Sequence, residues 1–244
     1  MIASIQIADV GKLRGARLLR AQPTPERTPG LRYAALMLAS PLSDSRLPRP
    51  SPGRLGLFAV WDGEDELEQF FAEHPLAEAL SSGWRARLQP THLFGAWPSL
   101  GSIVGKEPPM TDDEPAAVLT LGRLRISQAL RFLKAGGAAE RLAVSDPALL
   151  RGTGLARPPG LVATFSLWQS TGAMRAYASG RRGREHRDAV SAHAARPFHH
   201  ESAFLRFRPY ASQGTWDGAD PLADLQAARP ARAPAARPTP QSPR

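Results

Sequence analysis

The feature that most constrains this chain is that its two halves carry the same pattern. A repeat of this length is one supersecondary unit copied, so the fold has to let two copies bury each other. In the first half the strand-like Leu57-Phe58-Ala59-Val60-Trp61 precedes a helical stripe of Leu67, Phe70 and Phe71. In the second, Thr164-Phe165-Ser166-Leu167-Trp168 precedes Met174, Tyr177 and Ala178. Counted from each Trp, the offsets coincide at −3, +6, +9 and +10. The last three are the core-facing spacing of a helix. A Glu-His pair follows in each half, Glu73-His74 and Glu185-His186, and the second comes five residues later, after Gly180-Arg-Arg-Gly-Arg184. Each half closes on a strand ending in Gly-x-Trp, Gly95-Ala96-Trp97 and Gly214-Thr215-Trp216.

The beginnings agree more weakly. Ile2 to Ala8 alternates apolar and polar, and Val10 to Arg20 has a helical pattern. Ala117 to Arg123 is strand-like, and Ile126, Ala129, Leu130 and Leu133 mark an amphipathic helix. Further strands are predicted at 31–38 and 149–156. Each half therefore reads β-α-β-β-α-β, the ferredoxin-like unit. The predicted class is α+β: tandem ferredoxin-like (βαββαβ) repeats in a barrel-like pseudo-dimer, with a cavity expected between the two sheets. The expected divisions are 1–97 for the first half, 98–115 for a Pro/Gly/acidic linker, 116–226 for the second half, and 227–244 for a disordered Pro/Arg-rich tail.

Composition enters mainly through what it excludes. The chain of 244 residues is 42% apolar, enough to bury a core, and has no cysteine, so disulfides, thiolate metal sites and Cys nucleophiles are ruled out. Its longest apolar stretch, Tyr33 to Ala39, is too short to span a bilayer. Asp9 interrupts the apolar start and no early positive charge precedes it, unlike a signal peptide, so a cytoplasmic location is expected. The net charge of +9 does not by itself point to nucleic acid. Only Lys12, Lys106 and Lys134 are lysines, and four of the arginines lie in the tail, without which the charge is +5. Phosphate loops, nucleophile elbows and His-Glu-x-x-His are absent, so chemistry has to come from less specific signals.

His186 stands at the apparent start of a helix over 185–195, behind the Gly/Arg insertion. A neutral imidazole there can bind a metal or heme iron or act as an acid–base; a solvated first-turn histidine is the alternative. His74, followed by Pro75, reads as structural. His199-His200, with His193, reads as surface, because neighbours on a strand face opposite ways. His92 receives no role. Trp61 and Trp168 read as core, whereas Trp97 and Trp216 suit either the core or a cavity mouth. Arg206 and Arg208 share one face of the last strand: facing outward they are surface charge, facing inward a cationic pair in need of an anion. Arg151 raises the same question, and Asp112-Asp113 reads as a solvated loop pair.

Several of these segments resemble the spheroidene monooxygenase family: Leu88-Gln89-Pro90 with Gly95-Ala96-Trp97, Val118-Leu119-Thr120, Thr164 to Trp168, His186, Arg206-Phe207, and Gly214-Thr215-Trp216-Asp217-Gly218-Ala219-Asp220-Pro221. They run in order across roughly residues 54 to 221. The family comprises carotenoid ketolases of the dimeric α/β-barrel group, which oxygenate an activated C–H of an apolar polyene. The resemblance implies a heme (iron) cofactor and a ferredoxin-type electron donor. It implies His186 as the axial iron ligand and Arg206 as a catalytic or cofactor-binding group that meets bound oxygen or a heme propionate. A carotenoid-like substrate further implies contact with a membrane surface, which the basic tail would favour. Two departures, the Pro/Ser loop 40–53 and Phe132-Leu133 in place of an aromatic pair, bear on the shape of a substrate channel. A non-catalytic module binding heme or a small apolar ligand, and a cofactor-free oxygenase with His186 as acid–base, stay open as alternatives. Nucleic acid is not an expected partner, and a homodimer is allowed but not required.

Overall fold

The protein is described from a computed structural model covering residues 1–42, 51–106, 108–128, 131, 141–179 and 198–223. Eight antiparallel strands close into one barrel. Chain order runs β1 (Ile2–Asp9), α1 (Lys12–Leu18), β2 (Leu31–Pro41), β3 (Arg54–Trp61), α2 (Glu64–Glu73), α3 (Pro75–Ala79) and β4 (Trp84–Ala96). It continues with β5 (Ala116–Leu124), a 3-10 turn at Ile126–Gln128, β6 (Leu149–Arg157), β7 (Leu161–Trp168), α4 (Thr171–Ala178) and β8 (His199–Gln213). Most of the helix expected after Ile126, all of 185–195, the core of the Pro/Ser loop and the tail from 227 lie outside the described residues.

Around the barrel the strands run β1-β3-β2-β6-β7-β5-β8-β4. Each half thus contributes a four-stranded sheet in which its first and third strands are central and its second and fourth are edges. The edges meet pairwise, β2 on β6 and β4 on β8, so each sheet's unpaired edges are satisfied by the other sheet within one chain.

Alternation along the strands divides the side chains between two faces. Inward residues form one cluster that includes Ile5, Met37, Phe58, Trp84, Phe165, Leu205 and Phe207. Among the described residues these large side chains meet across the axis between the sheets, with Phe58 and Phe207 rings 5.9 Å apart. A narrow eight-stranded barrel leaves room only for side chains when the inward positions are this bulky.

The two Gly-x-Trp segments plug opposite ends. Trp97 packs edge-on to Tyr33 at 6.4 Å, and Trp216 lies 5.3 Å from Trp84 and 6.2 Å from Phe165. Both glycines are obligatory here. Gly95 and Gly214 have φ of 89° and 84°, and a Cβ would come within 2.4 Å of the Ser202 carbonyl oxygen and 2.0 Å of the Gly83 carbonyl oxygen, respectively. The 98–115 stretch adds Leu100 and Ile103 to the interior cluster.

Candidate functional site

With large side chains meeting across the barrel axis, the outer faces of the two half-sheets can be compared. Strand register matches them position by position. Across the first sheet one row reads Leu36–Leu57–Gln6–Arg85, and the neighbouring row Ala34–Ala59–Ser4–Arg87. Across the second sheet the corresponding rows read Gly154–Thr164–Thr120–Phe204 and Gly152–Ser166–Val118–Arg206. Both sheets use the same tryptophan anchor, with the hydroxyl exchanged between adjacent strands. The Trp61 indole N–H donates to Ser4 at 3.0 Å, and that of Trp168 to Ser166 at 3.0 Å.

The coverings differ. On the first sheet Leu36, Leu57 and Gln6 are buried beneath α2 and α3 in a cluster with Trp61, Phe70 and Leu76. On the second their counterparts Gly154 and Thr164 are partly exposed and Thr120 is exposed. A Cβ at Gly154 would meet nothing closer than the Ser40 carbonyl oxygen at 3.8 Å. Two leucines of side-chain volume are replaced by a glycine and a threonine, so the second sheet has a shallow floor of small residues. β4 extends past the seam to border it, setting His92 beside Arg206 and Phe94, 73% exposed, beside Phe204.

Arg87 and Arg206 hold equivalent places, ten residues before Trp97 and Trp216. Arg87 is clamped by α2: its guanidinium donates to Glu64 at 3.1 Å and also to Glu68, while the Tyr210 hydroxyl donates to Glu64. Burial works against the Arg87 charge, but the hydrogen bond and charge of Glu68, helped by Glu64, outweigh it and raise its pKa. Arg206 has the reverse balance. Its Nε is buried with no hydrogen-bond partner, and burial, then the charge of Arg175, push its pKa down. Arg208 next along is bound by Glu114 at 3.1 Å.

The other sequence candidates fall in several places. Of the two site residues proposed from sequence, Arg206 faces outward on β8, sharing its side of the strand with Phe204, and His186 lies outside the described residues, as does His193. His74 caps α3, its Nδ1 accepting from the Leu76 amide at 3.1 Å, with its ring stacked on Phe70 at 4.6 Å. Arg151 also keeps a buried Nε without a partner, and its guanidinium donates to the Leu150 carbonyl oxygen at 2.8 Å. His199 is half-buried and His200 exposed. Among the described residues no three His, Asp or Glu converge on a metal-sized site. Sequence reasoning missed Thr171 and Arg175, although the repeat contains the signal: they stand at +3 and +7 from Trp168, where Glu64 and Glu68 stand from Trp61.

Comparison with curated proteins decides the family. A spheroidene monooxygenase of Rubrivivax gelatinosus is 33% identical over 88% of this chain and 83% of its own length. The chain belongs to the spheroidene monooxygenase family. It is therefore an enzyme, an oxidoreductase of the monooxygenase class. Spheroidene monooxygenases of Cereibacter sphaeroides and Rhodobacter capsulatus are each 28% identical, over 84% and 72% of this chain and 64% and 75% of their own lengths. No family model matches. Among solved structures, an aldoxime dehydratase is 10% identical over 85% of this chain and 80% of its own, with a TM-score of 0.48. An anthrone oxidase-like protein is 15% identical over 87% and 92%, with a TM-score of 0.34. No helix of the described residues is long and apolar enough to cross a membrane.

Proposed function

We propose that this spheroidene monooxygenase relative is heme-dependent and oxygenates an activated C–H of an apolar, carotenoid-like substrate. In this reading two tandem ferredoxin-like halves, 1–97 and 116–226 joined by 98–115, share one site, carried on the outer face of the second sheet. The observation that supports it is the buried, unpartnered Nε of Arg206 at the edge of that small-residue floor. A flat macrocycle needs a broad surface without protruding side chains. An oxygen or carboxylate on it needs a donor, and the residues present suit both. Gly154, Thr164 and Thr120 provide the floor, and Arg206 the donor.

His186, assigned through the family resemblance, would hold the iron through a ring nitrogen, and Arg206 on the sheet would contact the group's oxygen or carboxylate. When bound, the heme would supply an iron centre at which dioxygen is activated. The chain's own part is binding and orientation. Arg206 holds an N–H toward an oxygen or carboxylate acceptor, and its permanent charge means it cannot take up a proton there. Phe204 and Phe94 offer apolar surface on which a polyene can lie while excluding water from the reacting C–H. Electrons would come from a ferredoxin-type donor, and the substrate would bring the chain to a membrane surface. Both barrel seams are closed within the chain, so a homodimer would use another surface.

An absorption spectrum of the purified protein, alone and with added hemin, tests this. The expected result is a Soret band that saturates at one heme per chain and is lost in His186→Ala. Weak, non-saturating hemin binding would overturn the heme reading and leave the cofactor-free oxygenase or the binding module. A His186→Ala protein with an unchanged band would overturn the ligand assignment alone.

A further inference from the structure

We propose that Arg175 and Arg206 together receive an organic carboxylate on the outer face of the second half-sheet. The proposal rests on the reading that this face carries the site, and it adds what the site binds there and through which second residue.

The argument comes from what the repeat kept and what it changed. Both halves keep an arginine at the same strand position, Arg87 and Arg206. The first half neutralises it with two carboxylates from the overlying helix, Glu64 and Glu68. The second half has no acid at either equivalent place. One carries Thr171, whose hydroxyl donates instead to the Glu114 carbonyl oxygen at 3.0 Å. The other carries Arg175, a full reversal of charge.

Among the described residues the nearby acids Asp112 and Glu114 are already engaged, with Arg175 at 2.5 Å and with Arg208. The buried Arg206 Nε without a partner is costly, and the positive charge of Arg175, at the place of Glu68, adds to the cost where the first half relieves it. An anion that accepts from Arg206 relieves that cost. A carboxylate suits two planar donors better than a point-like anion does, because each guanidinium presents a fork. The Asp112–Arg175 contact is solvent-exposed, with side chains 72% and 48% accessible, so an incoming carboxylate can displace it at little cost. The apolar Phe204 on the same strand face points to a ligand that is otherwise hydrophobic.

The test rebuilds the first half's clamp in the second. Thr171→Glu with Arg175→Glu restores both acids over Arg206, and Arg175→Gln removes only the reversed charge in case the double variant fails to fold. Hemin and its dimethyl ester are titrated into each protein, folding being checked by circular dichroism. The expected result is that wild type favours the free acid about tenfold or more, as a charge-assisted pair of hydrogen bonds implies. That preference falls in Arg175→Gln and vanishes in the double variant. Equal affinity of wild type for acid and ester would overturn this proposal while leaving the heme reading intact. If neither compound binds, the heme reading fails, and thermal melts with sodium propionate against matched sodium chloride decide the carboxylate site. A propionate-specific rise in wild type that is absent from the double variant supports it, and identical melts overturn it.

Discussion

At the scale of single residues, the two halves show how one side chain takes different roles under different neighbours. Arg87 and Arg206 are indistinguishable in pattern, and only the helix residues opposite them separate an arginine held by two carboxylates from one whose buried Nε has no partner. His74 and His186 pose the same problem at the Glu-His pair. His74 is readable because Pro75 follows it, and its Nδ1 does cap α3 by accepting from Leu76. That role requires the neutral ring, and burial lowers its pKa from the usual 6.5. The unfolded chain then binds the proton more readily than the folded one. The contribution is fully present above about pH 6.5 and is lost as pH falls through the lowered folded value. His74→Asn keeps an acceptor that does not titrate. We expect its thermal melts to lose less stability between pH 7 and 5 than wild type, by up to about 1 kcal/mol, the usual worth of an N-cap. Equal slopes for the two proteins would remove His74 from the acid response.

At the scale of elements, strand periodicity reveals which residues face together but not which side of a sheet holds the ligand. The Trp-anchored strands and the helical stripes after them were legible because their apolar spacing is regular, and so were the approximate bounds of β2 and β6. Whether the two sheets enclose a cavity was not legible, for a physical reason. A bare sheet face can be covered either by leaving space or by meeting the other sheet with large side chains, and alternation alone does not distinguish them. Among the described residues Phe58, Phe165 and Phe207 meet across the axis, while one outer row of the second sheet, Gly154, Thr164 and Thr120, keeps some exposure. The signal for that row is a pair of small residues, Gly154 and Thr164, at the places that Leu36 and Leu57 hold in the first sheet. This predicts that refilling the floor separates stability from function. Gly154→Leu with Thr164→Leu copies the first half's row, and open space around the Gly154 Cβ direction admits the larger side chain. The melting temperature should stay within a few degrees of wild type, while hemin binding and oxygenation are lost. A refilled protein that binds hemin as before would place the ligand elsewhere.

At the scale of the whole molecule, closure of the barrel gives a structural role to one of the segments that carry the family resemblance. The Gly214-to-Pro221 segment that carries the family resemblance acts as a stopper. Gly214 lets the chain turn against Gly83, Trp216 inserts beside Trp84 and Phe165, and Asp220 fastens the assembly. The Asp220 carboxylate accepts from the Trp84 indole at 2.9 Å, the Ser212 hydroxyl at 2.7 Å and the Leu222 amide at 3.0 Å. It thus ties the start of β4 in the first half to the end of β8 in the second, across the seam that completes the barrel. Trp84 is fully buried, so its N–H has no water to turn to when the carboxylate is removed. Asp220→Ala is expected to cost about 1–3 kcal/mol through that orphaned donor, and to lower the melting temperature by roughly 2–4 °C per kcal/mol for a domain of this size. Asp220→Asn keeps one acceptor oxygen and should recover part of the loss. Near-ultraviolet circular dichroism would register the loosened Trp84–Trp216 stack at the same time. Because the stopper is at a barrel end and Arg206 is on an outer face, the heme titration of a folded Asp220→Ala protein should match wild type. A variant that melts normally would show the seam holding without its tie, and one that stays folded but no longer binds heme would show the barrel end and the outer face acting as one site.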